Sequence, residues 1–157
     1  MEYGHFDREG RARMVDVSGK KVTKREAIAS ADVIMNPETL KMIKKGKMAK
    51  GDVLSVAKVA GIMAAKRTSD LIPMCHPLEI SNVDIIFSLK EKNRIGIISK
   101  VKCLGRTGVE MEALVAASIS ALTIYDMCKV VDREMVISDV KLFKKTGGKS
   151  GVFIRRD

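Results

Sequence analysis

The chain has 157 residues, 46% of them apolar, and a net charge of +10 at pH 7, which is typical of one globular domain and excludes a disordered chain. No apolar run approaches the roughly eighteen residues of a membrane span, and the N-terminus shows no signal-peptide pattern, so a cytoplasmic location is expected. The charge predicts an anionic partner, although the 4% aromatic content argues against a platform that stacks single-stranded nucleic acid. The three cysteines are widely spaced and form no CxxC pair, which predicts free thiols.

The first third of the chain contains one uncertain segment and one short helix. Residues 1–12 are polar and of mixed charge, which predicts a loose N-terminal arm ahead of a single domain over 13–157. Residues 21–34 suit a helix by propensity and a strand by alternation, and both interpretations stay open. A short helix is predicted over 36–46, with Asn36 as its N-cap.

A second helix is predicted to begin after Asp52, which suits the N-cap position, and to run to about residue 69. Lys66 and Arg67 lie in its last turn. Cations at that position complement the helix dipole, but a basic pair that points into a pocket would have the same sequence. Both interpretations stay open for this pair.

The segment 71–78 is apolar and is bracketed by Pro73 and Pro77, so it is neither a regular helix nor a central strand. Irregular backbone of this kind often lines a binding site. His76 lies within the segment, and a single histidine is more often structural than catalytic. The rigid apolar frame around it favours the wall of a pocket.

The second half of the chain contains the clearest β signals and the longest helix. Apolar residues alternate over 80–89 and again over 95–103, which predicts a β-hairpin. A long helix follows over 105–129, and a last strand is predicted over 134–143. The order strand, helices, strand, strand, helix, strand predicts an α+β fold, a split β-α-β unit with an antiparallel sheet and helices on one face.

Several polar residues of the long helix have two interpretations. Thr107 is predicted as its N-cap, with Glu110 three residues later closing a capping box. Acids at a helix start complement the dipole, which is the simplest reason for Glu110 and Glu112. Asp126 lies near the opposite end, where an acid opposes the dipole. It is either a surface partner of Lys129 or a general acid or base beside a lysine.

Glu112 and Asp126 are too far apart to serve one small substrate in one chain. Fourteen residues of helix at about 1.5 Å each separate them by roughly 21 Å. If both contact a substrate, they do so from different subunits, which predicts an oligomer.

The glycine-rich and lysine-rich segment 144–151 invites comparison with a phosphate-binding loop. The comparison fails because Phe143 stands where that motif needs glycine and no helix is predicted to follow. Exposed backbone N–H groups and lysines are still able to hold an anion, so an anion cradle and a disordered basic tail both remain open.

Seven segments, taken together, are similar to the motifs of one known family: MVDV at 14–17, KGDV at 50–53, AAKRT at 64–68, DLIPMCHPL at 70–78, GRTGVEMEAL at 105–114, YDMCK at 125–129 and TGGKSG at 146–151. They resemble the family of molybdenum cofactor biosynthesis protein C, the cyclic pyranopterin monophosphate synthases. The resemblance extends from about residue 13 onward. Met74 stands where leucine is common, a change that conserves volume.

This resemblance implies a ferredoxin-like fold with one catalytic domain, assembled as a homohexamer, a trimer of dimers, with active sites at subunit contacts. The implied substrate is 3′,8-cyclo-7,8-dihydroguanosine 5′-triphosphate, made by a partner radical GTP cyclase. The implied products are cyclic pyranopterin monophosphate and diphosphate. The sequence contains no metal-site pattern and requires no cofactor, although magnesium could accompany the triphosphate. Neither a membrane nor a nucleic acid is an expected partner.

The resemblance also assigns roles to residues. Asp126 resembles the family's acid/base, with Lys129 and Lys50 as lysine partners whose pKa a desolvated cationic site would lower. The substrate-contacting segments are matched by Met74, Cys75, His76, Met111 and Glu112. The triphosphate needs fixed cations, for which the candidates are Arg25, Lys66 and Lys145, together with Lys50, Lys129 and Lys149. Glu112 is expected to accept N–H donors from the guanine-derived edge, and Glu110 remains a helix-start acid.

Two other classes of protein remain as alternatives. A basic nucleic-acid-binding module would explain the charge but not the proline-bracketed His76 or the acid at a helix end. A structural oligomerisation protein would explain the helix and the sheet but not the convergent cations. Replacing Asp126 by alanine separates these readings, because only an enzyme would lose turnover and keep its fold.

Overall fold

The computed structural model describes residues 4–156. Its elements follow in chain order as β1 (Thr23–Ile34), α1 (Pro37–Lys44), α2 (Val53–Lys66), α3 (Thr68–Leu71), β2 (Ile80–Ser88), β3 (Arg94–Gly105), α4 (Glu110–Cys128), β4 (Val136–Thr146) and β5 (Phe153–Ile154). The predicted order of strands and helices is confirmed as far as β4, and the structure adds the short strand β5, which was not predicted. Of the predicted N-terminal arm, residues 1–3 lie outside the described residues. Residues 4–12 form a turn closed by a bridge between Phe6 and Ala12.

The sheet has five strands in the order β2-β3-β1-β4-β5, and each neighbouring pair is antiparallel. With α2 and α4 as the crossover helices, its first four strands have the ferredoxin-like topology. The predicted α+β class is therefore confirmed. The predicted hairpin is β2 and β3, whose alternating side chains place Ile95, Ile97 and Val101 in the core.

The uncertain segment 21–34 is a central strand. β1 is paired along its length with β3 on one side and β4 on the other. Its buried face consists of the small side chains Ala27, Ala29, Ala31 and Val33. The alanines favour a helix by intrinsic propensity, but the hydrogen bonds to two neighbouring strands outweigh that preference.

Helices α2 and α4 pack together on one face of the sheet. Gly61 permits their close approach, because a Cβ atom there would collide with the side chains of Ser120 and Ile85 and lie 2.9 Å from the Ala116 carbonyl oxygen. Ser120 Oγ donates a hydrogen bond of 3.0 Å to the Ala57 carbonyl, which ties α4 to α2. By length and composition alone α4 would also pass for a membrane span, but its buried residues belong to this core.

Three local predictions were wrong. The capping box is absent from α4, which begins at Glu110 with Val109 at the N-cap and no side-chain cap. The second helix ends at Lys66, and a separate short helix, α3, follows it. The last strand begins two residues later than predicted and continues to Thr146. The N-cap of α2 was predicted correctly, since the Asp52 carboxylate accepts a 3.0 Å hydrogen bond from the Ser55 N–H.

The glycine-rich segment 144–151 is part of the fold rather than a tail. β4 contains its first three residues, and β5 then pairs with β4. Gly147 and Gly148 have positive φ values of 95° and 75°, which only glycine adopts readily. This turn returns the chain against Arg25 of β1.

Candidate active site

A cavity of about 380 Å³ lies where the first turn of α4 meets the irregular segment 71–78. We call it the carboxylate pocket; its lining residues are His5, Val15, Val17, Lys20, Met74, Cys75, His76, Leu78, Thr107, Gly108, Glu110, Met111 and Glu112. All five residues expected to contact the substrate from segments 74–76 and 111–112 therefore meet in one cavity. The N-terminal residues that close it were not predicted as site residues.

His76 connects the irregular segment to the N-terminal part of the pocket wall. Its Nε2 atom lies 2.8 Å from the carbonyl oxygen of Val15. Because a carbonyl oxygen only accepts, Nε2 must carry the hydrogen in this contact. In the neutral ring, Nδ1 is then an acceptor. His76 thus links the N-terminal segment to the irregular segment, and it also supplies a polar group to the pocket.

Glu112 is the most perturbed acid of the site. Its residue surface is only 4% exposed. Burial raises its pKa from the ordinary 4.5 to about 7, and the negative charge of Glu110 acts in the same direction. At neutral pH both the protonated and the ionised forms of Glu112 are therefore populated, so the carboxyl group is able to give a proton as well as accept one.

The cysteines are free thiols, as predicted. Burial raises the pKa of Cys75, and the nearby Glu112 raises it further. Burial likewise raises the pKa of Cys128 to about 11. The Cys75 side chain is therefore a neutral part of the pocket wall at physiological pH.

A second cavity, of about 720 Å³, adjoins the first. We call it the cationic pocket; it is lined by Gly19, Lys20, Lys21, Thr23, Arg25, Arg106, Thr107, Gly108, Glu110, Lys145, Gly148, Lys149 and Ser150. Four of these, Lys20, Thr107, Gly108 and Glu110, also line the carboxylate pocket. The two pockets are therefore adjacent, and we call the pair the cleft, which is cationic at one end and mixed acidic and apolar at the other.

Arg25 is held rigidly in the cationic pocket. Its Nε donates to the Gly105 carbonyl at 3.2 Å and its Nη2 to the Arg106 carbonyl at 3.0 Å. The same guanidinium lies against Gly148, where a Cβ atom would collide with it. Lys145 donates a hydrogen bond to Ser150 in the same turn. Fixed cations and the glycine-rich turn together make this pocket suitable for phosphate groups.

A third group of candidate residues lies at the other end of α4. The Asp126 carboxylate accepts hydrogen bonds from Lys129 Nζ at 2.8 Å and from Lys50 Nζ at 3.1 Å. Lys50 also donates to the Asp126 carbonyl oxygen at 2.9 Å. We call these three residues the lysine–aspartate cluster. Each of its side chains is partly exposed to solvent.

The cluster's electrostatics differ from the expectation for its lysines. Hydrogen bonds from Lys129 and then Lys50 hold the pKa of Asp126 below its usual range, so the carboxylate is ionised at neutral pH. The pKa of Lys129 is raised, mainly by its hydrogen bond to Asp126. The expected lowering of the pKa of Lys129 by desolvation is therefore wrong for this chain, in which the lysine is solvated and ion-paired.

The structure does not bring all predicted site residues together in one chain. Asp126 follows Glu112 by fourteen residues of one continuous helix, or roughly 21 Å at about 1.5 Å per residue. Neither pocket is lined by Asp126, Lys129, Lys50 or Lys66, as far as the described residues go. Lys66 lies exposed at the end of α2. One chain thus contains two separate parts of a candidate site.

No group of three or more His, Cys, Asp and Glu side chains suited to a metal ion exists within residues 4–156. The charged side chains of the cleft are mainly cationic. They suit the anionic groups of a ligand rather than a cation held by protein ligands alone.

Sequence reasoning did not assign four charged residues of the cleft to the site. Lys20, Lys21 and Arg106 line the cationic pocket, and Glu110 lies on the wall that both pockets share. The lysine pair next to Gly19 was a weak signal. Glu110 is a helix-start acid, as expected from the helix dipole, but it closes no capping box and its carboxylate packs against Gly108.

These features define a ferredoxin-like α+β protein whose cleft is suited to a small phosphorylated molecule. The sequence model of the MoaC family matches residues 14–148, which include all of the cleft except His5, Lys149 and Ser150. The chain therefore belongs to the MoaC family.

Close relatives cover nearly the whole chain. A protein of Peptoclostridium acidaminophilum is 63% identical over 155 residues, which make up 99% of this chain and 98% of that protein. Proteins of Desulfitobacterium hafniense and Heliobacterium modesticaldum are 61% and 59% identical, and the matches cover 100% and 98% of this chain and 96% and 97% of those proteins. All three are named cyclic pyranopterin monophosphate synthase.

Proposed function

We propose that this chain catalyses the cyclic pyranopterin monophosphate synthase reaction of molybdenum cofactor biosynthesis. The reaction converts 3′,8-cyclo-7,8-dihydroguanosine 5′-triphosphate to cyclic pyranopterin monophosphate and releases diphosphate. The enzyme is a phosphorus–oxygen lyase. The observation that supports this most is a cationic pocket adjacent to a carboxylate pocket, in a chain that matches the MoaC family from 14 to 148.

The two pockets suit the two ends of this substrate. The triphosphate would occupy the cationic pocket, where Arg25 and Lys145 supply positive charge. The purine-derived ring would occupy the carboxylate pocket, against Met74, Cys75 and His76. Glu112 there exchanges protons with ring nitrogens, because its pKa of about 7 lets it act in both directions near neutral pH.

Formation of the cyclic phosphate needs a base and cations. A ribose-derived hydroxyl attacks the α-phosphorus, a new P–O bond forms, and the bond to the diphosphate leaving group breaks. The ionised Asp126 is suited to accept the hydroxyl proton. Lys50 and Lys129 neutralise the charge that develops on the phosphate oxygens, and as ammonium groups they are also the proton donors of the cluster.

The complete site requires two subunits. Glu112 and Asp126 lie at opposite ends of α4, so the lysine–aspartate cluster of one subunit would complete the cleft of another. Exposed apolar surface supports assembly: Val56, Val59 and Met63 form a stripe along α2 with exposures of 46–56%. Lys66 follows this stripe at the end of the same helix and would reach phosphate across the contact. We propose a homohexamer, a trimer of dimers, with active sites at subunit interfaces.

Three further features belong to the proposal. Magnesium would accompany the triphosphate and bind chiefly to it, since such ions keep several waters and need few protein ligands. The substrate would come from a radical enzyme that cyclises GTP, so the two activities are consecutive. The enzyme would work in the cytoplasm, with no nucleic acid partner.

The test is diphosphate release on mixing the purified protein with the cyclised GTP intermediate, with plain GTP as the control. Release from the intermediate alone, together with a pterin product, is the expected result. No release from a folded oligomer over a range of magnesium concentrations and pH would refute the proposal. If RNA then remained bound at moderate salt, the basic nucleic-acid-binding alternative would replace it.

A further inference from the structure

We propose that Asp132 is a positioning residue for the lysine–aspartate cluster: it fixes the start of α1, and thereby the segment that presents Lys50 to Asp126. This inference rests on the proposed catalytic role of Lys50 and Asp126. It concerns a residue outside both pockets and outside the sequence motifs considered above.

Asp132 is one of the few buried charged residues of the described chain, with only 4% of its surface exposed. Its Oδ2 accepts hydrogen bonds from the Asn36 N–H at 2.8 Å and the Thr39 hydroxyl at 3.0 Å. Its Oδ1 lies 3.2 Å from the Glu134 N–H. Three donors therefore converge on one carboxylate, which offsets the free energy of burying its charge.

These contacts make Asp132 the cap of a distant helix. Asn36 occupies the N-cap of α1, but its side chain makes no capping hydrogen bond. The Asn36 N–H and the Thr39 hydroxyl at this helix start donate instead to a residue almost a hundred positions later in the chain. The negative charge also complements the dipole at the start of α1.

Asp132 is itself tied to the end of α4. The turn after this helix is closed by hydrogen bonds from the N–H groups of Val131 and Asp132 to the Cys128 carbonyl, at 2.9 and 3.1 Å. Asp126 lies in the last turn of the same helix. The carboxylate that caps α1 and the carboxylate of the cluster therefore belong to one short stretch of chain.

The segment 36–50 is attached to that stretch at both of its ends. Asp132 holds its beginning, and Lys50 Nζ donates to both the carbonyl and the carboxylate of Asp126 at its end. Between them, Leu40 and Met48 are buried in the core. A shift of α1 would therefore be transmitted to Lys50, and charge stabilisation at a reacting phosphate is sensitive to displacements of about 1 Å.

The inference is tested with a graded set of variants. Thr39→Val is isosteric and removes one donor, Asp132→Asn keeps one acceptor oxygen, and Asp132→Ala removes all three contacts. The measurements are kcat and KM for the cyclised GTP intermediate and the hydrogen-exchange rate of the Gly51 amide, which donates to the Met48 carbonyl at 3.0 Å beside Lys50.

We expect kcat to fall by about tenfold in Asp132→Ala and by less in Thr39→Val and Asp132→Asn, with KM within about twofold of wild type. KM should stay close to the wild-type value because these substitutions do not contact the cleft, which lies at the other end of α4. Gly51 exchange should accelerate in the same order. If Asp132→Ala does not fold, the isosteric Thr39→Val variant tests the inference alone. It keeps the buried charge of Asp132 and two of the three contacts of that carboxylate.

Ser120→Ala is the matched control, since it removes a buried hydrogen bond between α4 and α2 without touching the segment 36–50. An equal loss of kcat in this control, or unchanged kcat and Gly51 exchange in the variants, would overturn the inference. The activities of the wild type and of the Lys50→Ala and Asp126→Ala variants separate a failure of this inference from a failure of the proposed function. If the wild type is inactive, the proposed function fails. If both variants keep full activity, the proposed role of the cluster fails. The exchange data would then still decide whether Asp132 positions the segment.

Discussion

Replacing Glu112 by glutamine should make the protein more stable at high pH than the wild type. The pKa of Glu112 is raised from 4.5 to about 7 in the folded state, so the folded protein holds this proton more tightly than the unfolded chain does. The stabilisation linked to the proton is fully present below about pH 4.5 and is lost as the pH rises through 7. At pH 8.5 the wild type must bury a charged carboxylate, whereas glutamine is neutral at every pH.

The shift in pKa sets the size of the effect. At 1.36 kcal/mol per pKa unit, the Glu112→Gln variant should gain about 3 kcal/mol relative to wild type between pH 4.5 and pH 8.5. Urea unfolding at fixed protein concentration, measured at several pH values, gives this difference directly, and the fixed concentration matters because oligomerisation also contributes to stability. Turnover should fall in the same variant, because a neutral amide cannot exchange the proton.

Glu79→Gln is the control for this experiment, because Glu79 is exposed and lies outside both pockets as described. Its stability should follow that of the wild type at all pH values. If the Glu112→Gln and wild-type curves also stayed parallel from pH 4.5 to 8.5, burial would not control the ionisation of Glu112, and its proposed exchange of protons near neutral pH would lose its physical basis.

Three other outcomes are expected. Mixed oligomers of Glu112→Ala and Asp126→Ala subunits should regain activity in about a quarter of their sites, since each site then draws the two residues from different subunits; a mixture as inactive as its components would contradict a shared site. Arg25→Lys should raise KM more than Lys145→Ala does, because one ammonium group cannot reproduce the two hydrogen bonds that hold the guanidinium; steady-state kinetics on the intermediate would reveal the opposite order. Gly61→Val should lower the free energy of unfolding by about 3 kcal/mol, because its side chain would collide with α4; denaturation near the wild-type midpoint would show that the helices can separate at little cost.

The hairpin and the two long helices could be predicted because their signals are local. Period-two alternation in β2 and β3 and the N-cap of α2 depend on neighbouring residues only. The segment 21–34 could not be decided in this way, because its strand state depends on hydrogen bonds to β3 and β4, which lie far away in sequence. Propensity alone gives no information about such partners.

The cleft shows the same division between local and distant information. Residues within motifs, such as His76 and Glu112, could be assigned to a site from the sequence. Lys20 and Arg106 could not, because only the folded chain brings the segment before β1 next to the turn before α4. Glu110 was interpreted as a capping residue since its spacing from Thr107 fits a capping box, and the conformation at Val109 removes that box.

The position of Glu112 and Asp126 on a single helix has a kinetic consequence. If each α4 supplies one end to its own cleft and the other end to a neighbour's, then every copy of the helix is shared by two reacting centres. A ligand that tilts α4 in one centre would displace a carboxylate in the next. Binding at neighbouring sites would then be coupled through one rigid helix, and substrate saturation curves of the assembly would depart from a simple hyperbola.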